Sequence, residues 1–208
     1  MENRKPHKLE HKIHGTNRIH FESDHKCYYF MEKLSEGFSA SDENQLIYNF
    51  KKPINRKGFS DWSYRNTALN RFIKDLCNIK IRKKGYITVV PAPTSKTRTS
   101  KDWNDRIDKV VEGWSECNSN IKVEYAIDMI RSIPSSHQDG GTRNPEEIKK
   151  CLKFDGFKNE PSEIIIIVDD VYTTGGHFKA FRDFILEKEP KIKDVIGLFW
   201  ALHMWDIN

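Results

Sequence analysis

Residues 164–177 read Ile-Ile-Ile-Ile-Val-Asp-Asp-Val-Tyr-Thr-Thr-Gly-Gly-His, and no other stretch restricts the fold as tightly. Its five apolar residues, Ile164–Val168, are too few to span a membrane, and no apolar run in the chain is longer. They suit a strand packed on both faces. Two carboxylates, a Thr-Thr-Gly-Gly turn and an amphipathic helix over His177–Glu187 follow. A buried strand that enters a helix through a glycine turn is the unit of an open parallel α/β sheet. In such sheets ligands sit beyond the carboxyl ends of the strands.

The rest of the chain repeats the alternation. Residues 26–34 have the aromatic content of a strand. Ser41 is placed to cap a helix bearing Leu46, Ile47 and Phe50 on one face and ending before Pro53, and Asp61 opens a longer helix. Tyr86–Pro93 reads as a short buried strand. From Ser100, Trp103, Ile107, Val110, Val111 and Trp114 keep helical spacing, which predicts a helix with core tryptophans; Trp62 is read the same way. Residues 122–127 form a further strand candidate, and 131–143 are a long polar loop of the kind that covers a site. Asn144-Pro145-Glu146-Glu147 is a helix start. Strands follow over Glu163–Asp170 and Val195–Leu202. The expected fold is α/β: a parallel, Rossmann-like sheet flanked by helices, with residues 1–40 as a basic N-terminal arm containing one strand.

The Thr-Thr-Gly-Gly turn combines backbone N–H groups at a helix start, glycines that permit close approach, and two hydroxyl donors, which together make an anion nest. Two acids beside it suit a ligand that also offers hydroxyls or a cation, as a ribose 5-phosphate with Mg²⁺ does. Three other readings compete. A Walker B strand lacks its G-x-x-x-x-G-K-[ST] partner in this chain, a G-x-G-x-x-G fingerprint is absent, and acids that merely cap a turn leave the nest unexplained.

The stretch Val168-Asp169-Asp170-Val171-Tyr172-Thr173-Thr174-Gly175-Gly176 resembles the 5-phosphoribosyl-1-pyrophosphate (PRPP) motif of type I phosphoribosyltransferases, and is most similar to the competence-protein-F-type branch. Val89-Val-Pro-Ala-Pro93 with Thr94-Ser-Lys-Thr-Arg98 is similar to the first core strand and pyrophosphate loop of that family. The Arg131…Gln138…Arg143-Asn144 stretch is similar to its flexible loop. The likeness covers roughly residues 41–202, so 41–208 is expected to be the phosphoribosyltransferase-like domain; His177 departs from the Thr or Ser often found there. The resemblance implies that Asp169 and Asp170 accept the ribose hydroxyls and lie at Mg²⁺, directly or through those hydroxyls or water. It implies that Thr173, Thr174, Gly175, Gly176 and His177 hold the 5-phosphate, with Val171 and Tyr172 as further ligand-binding residues of the motif. Lys96 and Arg98 are implied at the pyrophosphate, and Arg131, His137 and Arg143 either close the site or are solvated. The implied activity is transfer of the phosphoribosyl group to a base or amine with release of pyrophosphate. The alternative is a non-catalytic module that binds PRPP or nucleotide and acts with nucleic acid through the basic N-terminal part.

Composition narrows the setting. The 208 residues are 31% charged and 12% aromatic, which excludes a disordered chain. Residues 1–84 carry 18 basic and 10 acidic side chains, so the excess of positive charge sits there and points to an anionic partner. The first fifteen residues hold no apolar core of a secretory signal, and a cytoplasmic protein is expected. Cys27, Cys77, Cys117 and Cys151 form no C-x-x-C pair and are read as reduced thiols. His7, His11, His14, His20, His25 and Cys27 invite a zinc reading, against the commoner flexible arm. Trp200, His203, Met204 and Trp205 either wall a nucleobase pocket or close a core edge.

Overall fold

A strand that opens with five consecutive apolar residues has to sit inside its sheet, and in the computed structural model Ile164–Tyr172 does. The structure describes residues 4–13, 15–81, 85–134 and 142–205. In chain order these form β1 (His7–Lys8), β2 (Lys26–Lys33), α1 (Asp42–Phe50), α2 (Trp62–Cys77), β3 (Ile87–Pro91) and α3 (Arg106–Cys117). There follow β4 (Ile121–Val123), β5 (Ile127–Met129), α4 (Pro145–Lys149), β6 (Leu152–Phe154), β7 (Ile164–Tyr172), α5 (Gly176–Lys188) and β8 (Asp194–His203). The main sheet has the order β1-β2-β8-β7-β3-β4, and every pair except β1–β2 is parallel. β5 and β6 form a separate antiparallel pair.

Both faces of the sheet are covered. Phe50, Phe72, Leu76, Val110, Val111 and Trp114 from α1, α2 and α3 pack with Val89, Val168, Leu198 and Trp200 on one side. Phe178, Phe181, Phe184 and Ile185 from α5 pack with Ile165, Ile167, Val195 and Phe199 on the other, joined by Leu152 and Leu9. The caps are chemical. Ser41 Oγ accepts the Asn44 N–H at 3.0 Å, and Asn144 Oδ1 accepts the Glu146 N–H at 3.0 Å behind Pro145.

Several expectations need correction. β7 runs on to Tyr172, so the two acids lie inside the strand rather than at its end. The helix expected from Ser100 begins at Arg106, because 97–105 is a chain of turns; Trp103 lies outside it, and both Trp103 and Trp62 are only partly buried. The strand expected over 122–127 is split between β4 and β5, in different sheets. The N-terminal segment is docked within its described residues: Leu9 and Ile13 are buried, and β2 pairs with β8 over seven registered positions. Cys77 and Cys117 form a disulfide between the C-terminal ends of α2 and α3, with Cα atoms 6.0 Å apart, so the four thiols are not all free. Cys27 and Cys151 are free and buried.

Candidate functional site

Strand order decides where a crevice opens. After β3 the chain crosses through α3 to β4 on one side, and it later returns through β7 on the other side of β3. The loops leaving β3 and β7 therefore diverge, and the gap between their carboxyl ends is the topological switch point of the sheet. Thr94–Arg98 leave β3 there, and Thr173–Gly175 leave β7. The long polar loop has one stem on each. Ile133 N–H donates to Ser95 O at 2.8 Å and Thr97 N–H donates to Ser132 Oγ at 3.1 Å, while the Arg143 carbonyl lies directly against Gly176. His14, His137 and Gln138 fall outside the described residues.

Adjacent strand residues point to opposite faces. Asp170, 4% exposed, takes the α1–α3 side, where Lys51 Nζ lies 2.9 Å from Oδ1 and Arg106 donates to Oδ2 from Nε at 3.0 Å and Nη2 at 2.8 Å. Burial opposes its ionisation, but Lys51 and Arg106 outweigh that and hold its carboxyl well below the usual range. Asp169 takes the phase of Ile165 and Ile167, is partly exposed, and accepts the Asp170 N–H at 2.7 Å. Desolvation, aided by the Asp170 charge, pushes its carboxyl up to about 7. The pair is divided into one fixed anion and one proton-holding carboxyl.

The Thr-Thr-Gly-Gly turn is closely packed. Gly175 has φ +83°, a left-handed conformation that favours glycine, and a Cβ there would meet the Tyr172 hydroxyl. A Cβ at Gly176 would overlap the Arg143 carbonyl oxygen and lie 3.3 Å from His20 Cδ2. His20 N–H donates to Thr174 O at 3.0 Å, and Gly176 N–H donates to Thr174 Oγ1 at 3.4 Å. Thr174, Gly175 and Gly176 are thus buried under His20 and Arg143, whereas Thr173 and His177 remain partly exposed. The His177 ring stacks on Phe181, with centroids 5.8 Å apart. Tyr172 is 1% exposed, packs edge-on against Phe199 and supports the turn from below; Val171 packs on the α1–α3 side.

On the β3 loop, the Thr94 hydroxyl donates to Lys96 O at 3.1 Å, and the Lys96 ammonium has no ion-pair partner among the described residues. Arg98 is differently placed. Its guanidinium is paired with Asp108, the second bond being 3.1 Å, and lies over the rings of Tyr125 at 4.7 Å and Trp103 at 5.2 Å. Arg106 and Lys51, the cations that do reach the acid pair, carry no signal in the sequence, because each is an ordinary helix-terminal residue far from Asp170 along the chain.

Of the remaining candidates, Trp200 is core: it is fully buried, stacks on Phe72 at 4.8 Å and donates to Asp75 at 3.0 Å. His203 and Trp205 meet edge-on at 4.3 Å at the end of β8, with Arg143 over Trp205 at 5.4 Å and Lys33 Nζ 3.3 Å from His203 Nδ1. Glu22, Asp24 and His25 are the one His/acid group among the described residues close enough to hold a cation. Lys179 and Arg182 already pair with Glu22 and Asp24, each at 2.6 Å, and His25 Nδ1 accepts the Glu22 N–H at 3.2 Å, which puts its proton on the nitrogen that faces the acids. That arrangement suits a docked segment better than a metal. His7 and His11 are exposed and lie outside this group.

No protein-family model matches the chain, and no curated protein is similar to it.

Proposed function

We propose that the chain is a type I phosphoribosyltransferase-like protein that binds PRPP or a ribose 5-phosphate in the crevice between β3 and β7. One observation supports the reading: the described stems of the polar loop lie against the Thr94–Arg98 loop and against the Thr-Thr-Gly-Gly turn, on the two sides of the switch point beside a carboxylate pair. A leaving pyrophosphate fits the Lys96 side of this gap, a 5-phosphate the Thr173–His177 side, and ribose hydroxyls Asp169.

In the proposed reaction the bond from the anomeric carbon to pyrophosphate breaks with its electron pair on oxygen. A nitrogen lone pair of the acceptor base or amine forms the new bond, and the acceptor's N–H proton leaves. Asp169 accepts a ribose hydroxyl as the cationic sugar develops, Lys96 meets the growing charge on pyrophosphate, and the loop excludes water. Asp170 positions Lys51 and Arg106 rather than touching ligand. Mg²⁺ fits beside Asp169, which has no cation within ion-pair distance among the described residues, and does not fit on Asp170, whose oxygens are occupied. When bound, it would neutralise charge on the pyrophosphate.

Two features favour a second reading, a regulatory module that binds the ligand without turnover. Arg98 is committed to Asp108, and the glycine turn is covered by His20 and Arg143. Titration calorimetry with PRPP and Mg²⁺, followed by pyrophosphate release against purines, pyrimidines, ammonia and glutamine, separates the two. The enzyme predicts binding and release with at least one acceptor, with Lys96→Ala slowing release about a hundredfold while ribose 5-phosphate affinity holds. Binding without release supports the module, and no binding removes both.

A further inference from the structure

Residues 18–25 cross the Thr-Thr-Gly-Gly turn and run along the first two turns of α5, and they are held there lightly. Among the described residues, the one backbone–backbone hydrogen bond between 18–24 and the rest of the molecule is His20 N–H to Thr174 O. The other backbone bonds are local, Phe21 N–H to Arg18 O at 3.1 Å and His25 N–H to Glu22 O at 3.0 Å, and Ile19 is left 60% exposed. Two ion pairs supply the grip, Glu22 on Lys179 and Asp24 on Arg182. The acid side chains are 49% and 61% exposed, so water screens both pairs and each is weak. Both cations also have an acid on their own helix, with Asp183 at 2.9 Å from Lys179 and 3.2 Å from Arg182. The segment can therefore lift without stranding a charge. Its anchor is at one end, where the buried His25 ring meets Phe178 edge-on at 5.3 Å and Phe21 at 5.7 Å.

The other end lies on the anion nest. His20 presses its backbone and ring against Gly175 and Gly176, and the Gly176 N–H is turned onto Thr174 Oγ1. Glu22 sets a carboxylate on Lys179, in the first turn of the helix whose N-terminus forms the nest. We propose that residues 18–24 are an autoinhibitory strap: docked, they keep the nest closed, and a phosphate-bearing ligand binds by displacing them. The proposal rests on the ribose-phosphate reading of the turn and adds its regulation. Glu22 is the competing group, an internal anion that gives way to the ligand's phosphate at the positive end of α5. Affinity measured on the whole protein is then the intrinsic affinity reduced by the fraction of molecules whose strap is lifted. Weakening the clasp should tighten binding, the opposite of what loss of a supporting ion pair does.

The test compares the full chain with its double variant, Glu22→Gln with Asp24→Asn, by calorimetric titration of ribose 5-phosphate in the presence of Mg²⁺. Hydrogen exchange of the wild-type peptide covering residues 18–24 is followed with and without the same ligand. Both altered side chains face solvent, so the far-ultraviolet circular dichroism should not change. The double variant should bind about fivefold more tightly, the order of two exposed ion pairs. Saturating ligand should speed exchange at 18–24, because the displaced strap loses its bond to Thr174. Binding by the variant alone is the same result at its limit. Equal or weaker binding by the variant, or exchange at 18–24 that ligand slows or leaves unchanged, would overturn the strap while the ribose-phosphate reading stands. Absence of binding by both proteins removes that reading, and the strap with it.

Discussion

Asp170 lies under two cations while Asp169, one residue earlier, faces the opposite side with none, and the two should behave differently when altered. Asp170→Asn leaves Lys51 and Arg106 without their anion in a buried setting, a loss of about 3–5 kcal/mol of stability at neutral pH. Asp169→Asn should keep the fold but, at pH 8 where the wild-type carboxyl is ionised, weaken ribose 5-phosphate binding in the presence of Mg²⁺ about ten- to a hundredfold, the worth of one charged hydrogen bond. The pH dependence has a fixed sign. Asp169 ionises near pH 4 when unfolded and at about 7 when folded, so its contribution to stability is full below about pH 4 and is lost as pH rises through 7. Asp170 has the depressed carboxyl, and its contribution is present above about pH 4 and lost as pH falls. The melting temperature of Asp169→Asn relative to wild type should therefore climb between pH 4 and 8. A flat difference would mean that the carboxyl is ionised throughout. The glycines are a harder test: because Gly175 and Gly176 already pack on Tyr172, His20 and Arg143, a side chain there disturbs the chain before it meets any phosphate.

Helices α2 and α3 are tied at both ends. Arg65, fully buried, donates to Asn104 Oδ1 at 2.9 Å and to Asp105 at 2.7 Å near their starts, and Cys77–Cys117 joins their ends. The bridge closes a loop of about forty residues, worth roughly 4 kcal/mol in the chain-entropy account. Cys77→Ser should lower the urea midpoint of the oxidised protein correspondingly, and reductant should bring the wild type down to the same value. If reductant leaves the wild type unmoved, the thiols are unbridged in solution. At this scale the sequence was partly legible. β3, β7 and β8 announce themselves by apolar runs, and α1 and α4 by caps at Ser41 and Asn144. β5 and β6 are three residues each, too short for any period, and Trp103 keeps helical spacing by coincidence while its ring packs on Arg98. The candidate site divides the same way. Its glycine turn is local chemistry and readable, whereas Lys51, Arg106 and His20 arrive there only through tertiary packing.

The described residues form a six-stranded α/β sheet and a separate two-stranded pair, and no helix among them is long and apolar enough to cross a membrane. Its connectivity has a consequence for synthesis. β2 is made first among the long strands, yet its parallel neighbour is β8, the last element, with Lys26 opposite Ile196. While the polypeptide emerges, residues 26–33 display an aromatic strand with no mate on that side, the kind of edge that recruits other chains. A nascent chain arrested on the ribosome before residue 194 should be cut readily by protease between residues 7 and 33, and the released full-length protein should not. Pairing of β2 is thus gated by the ten residues of β8, and until those are made the segment depends on whatever shelters it.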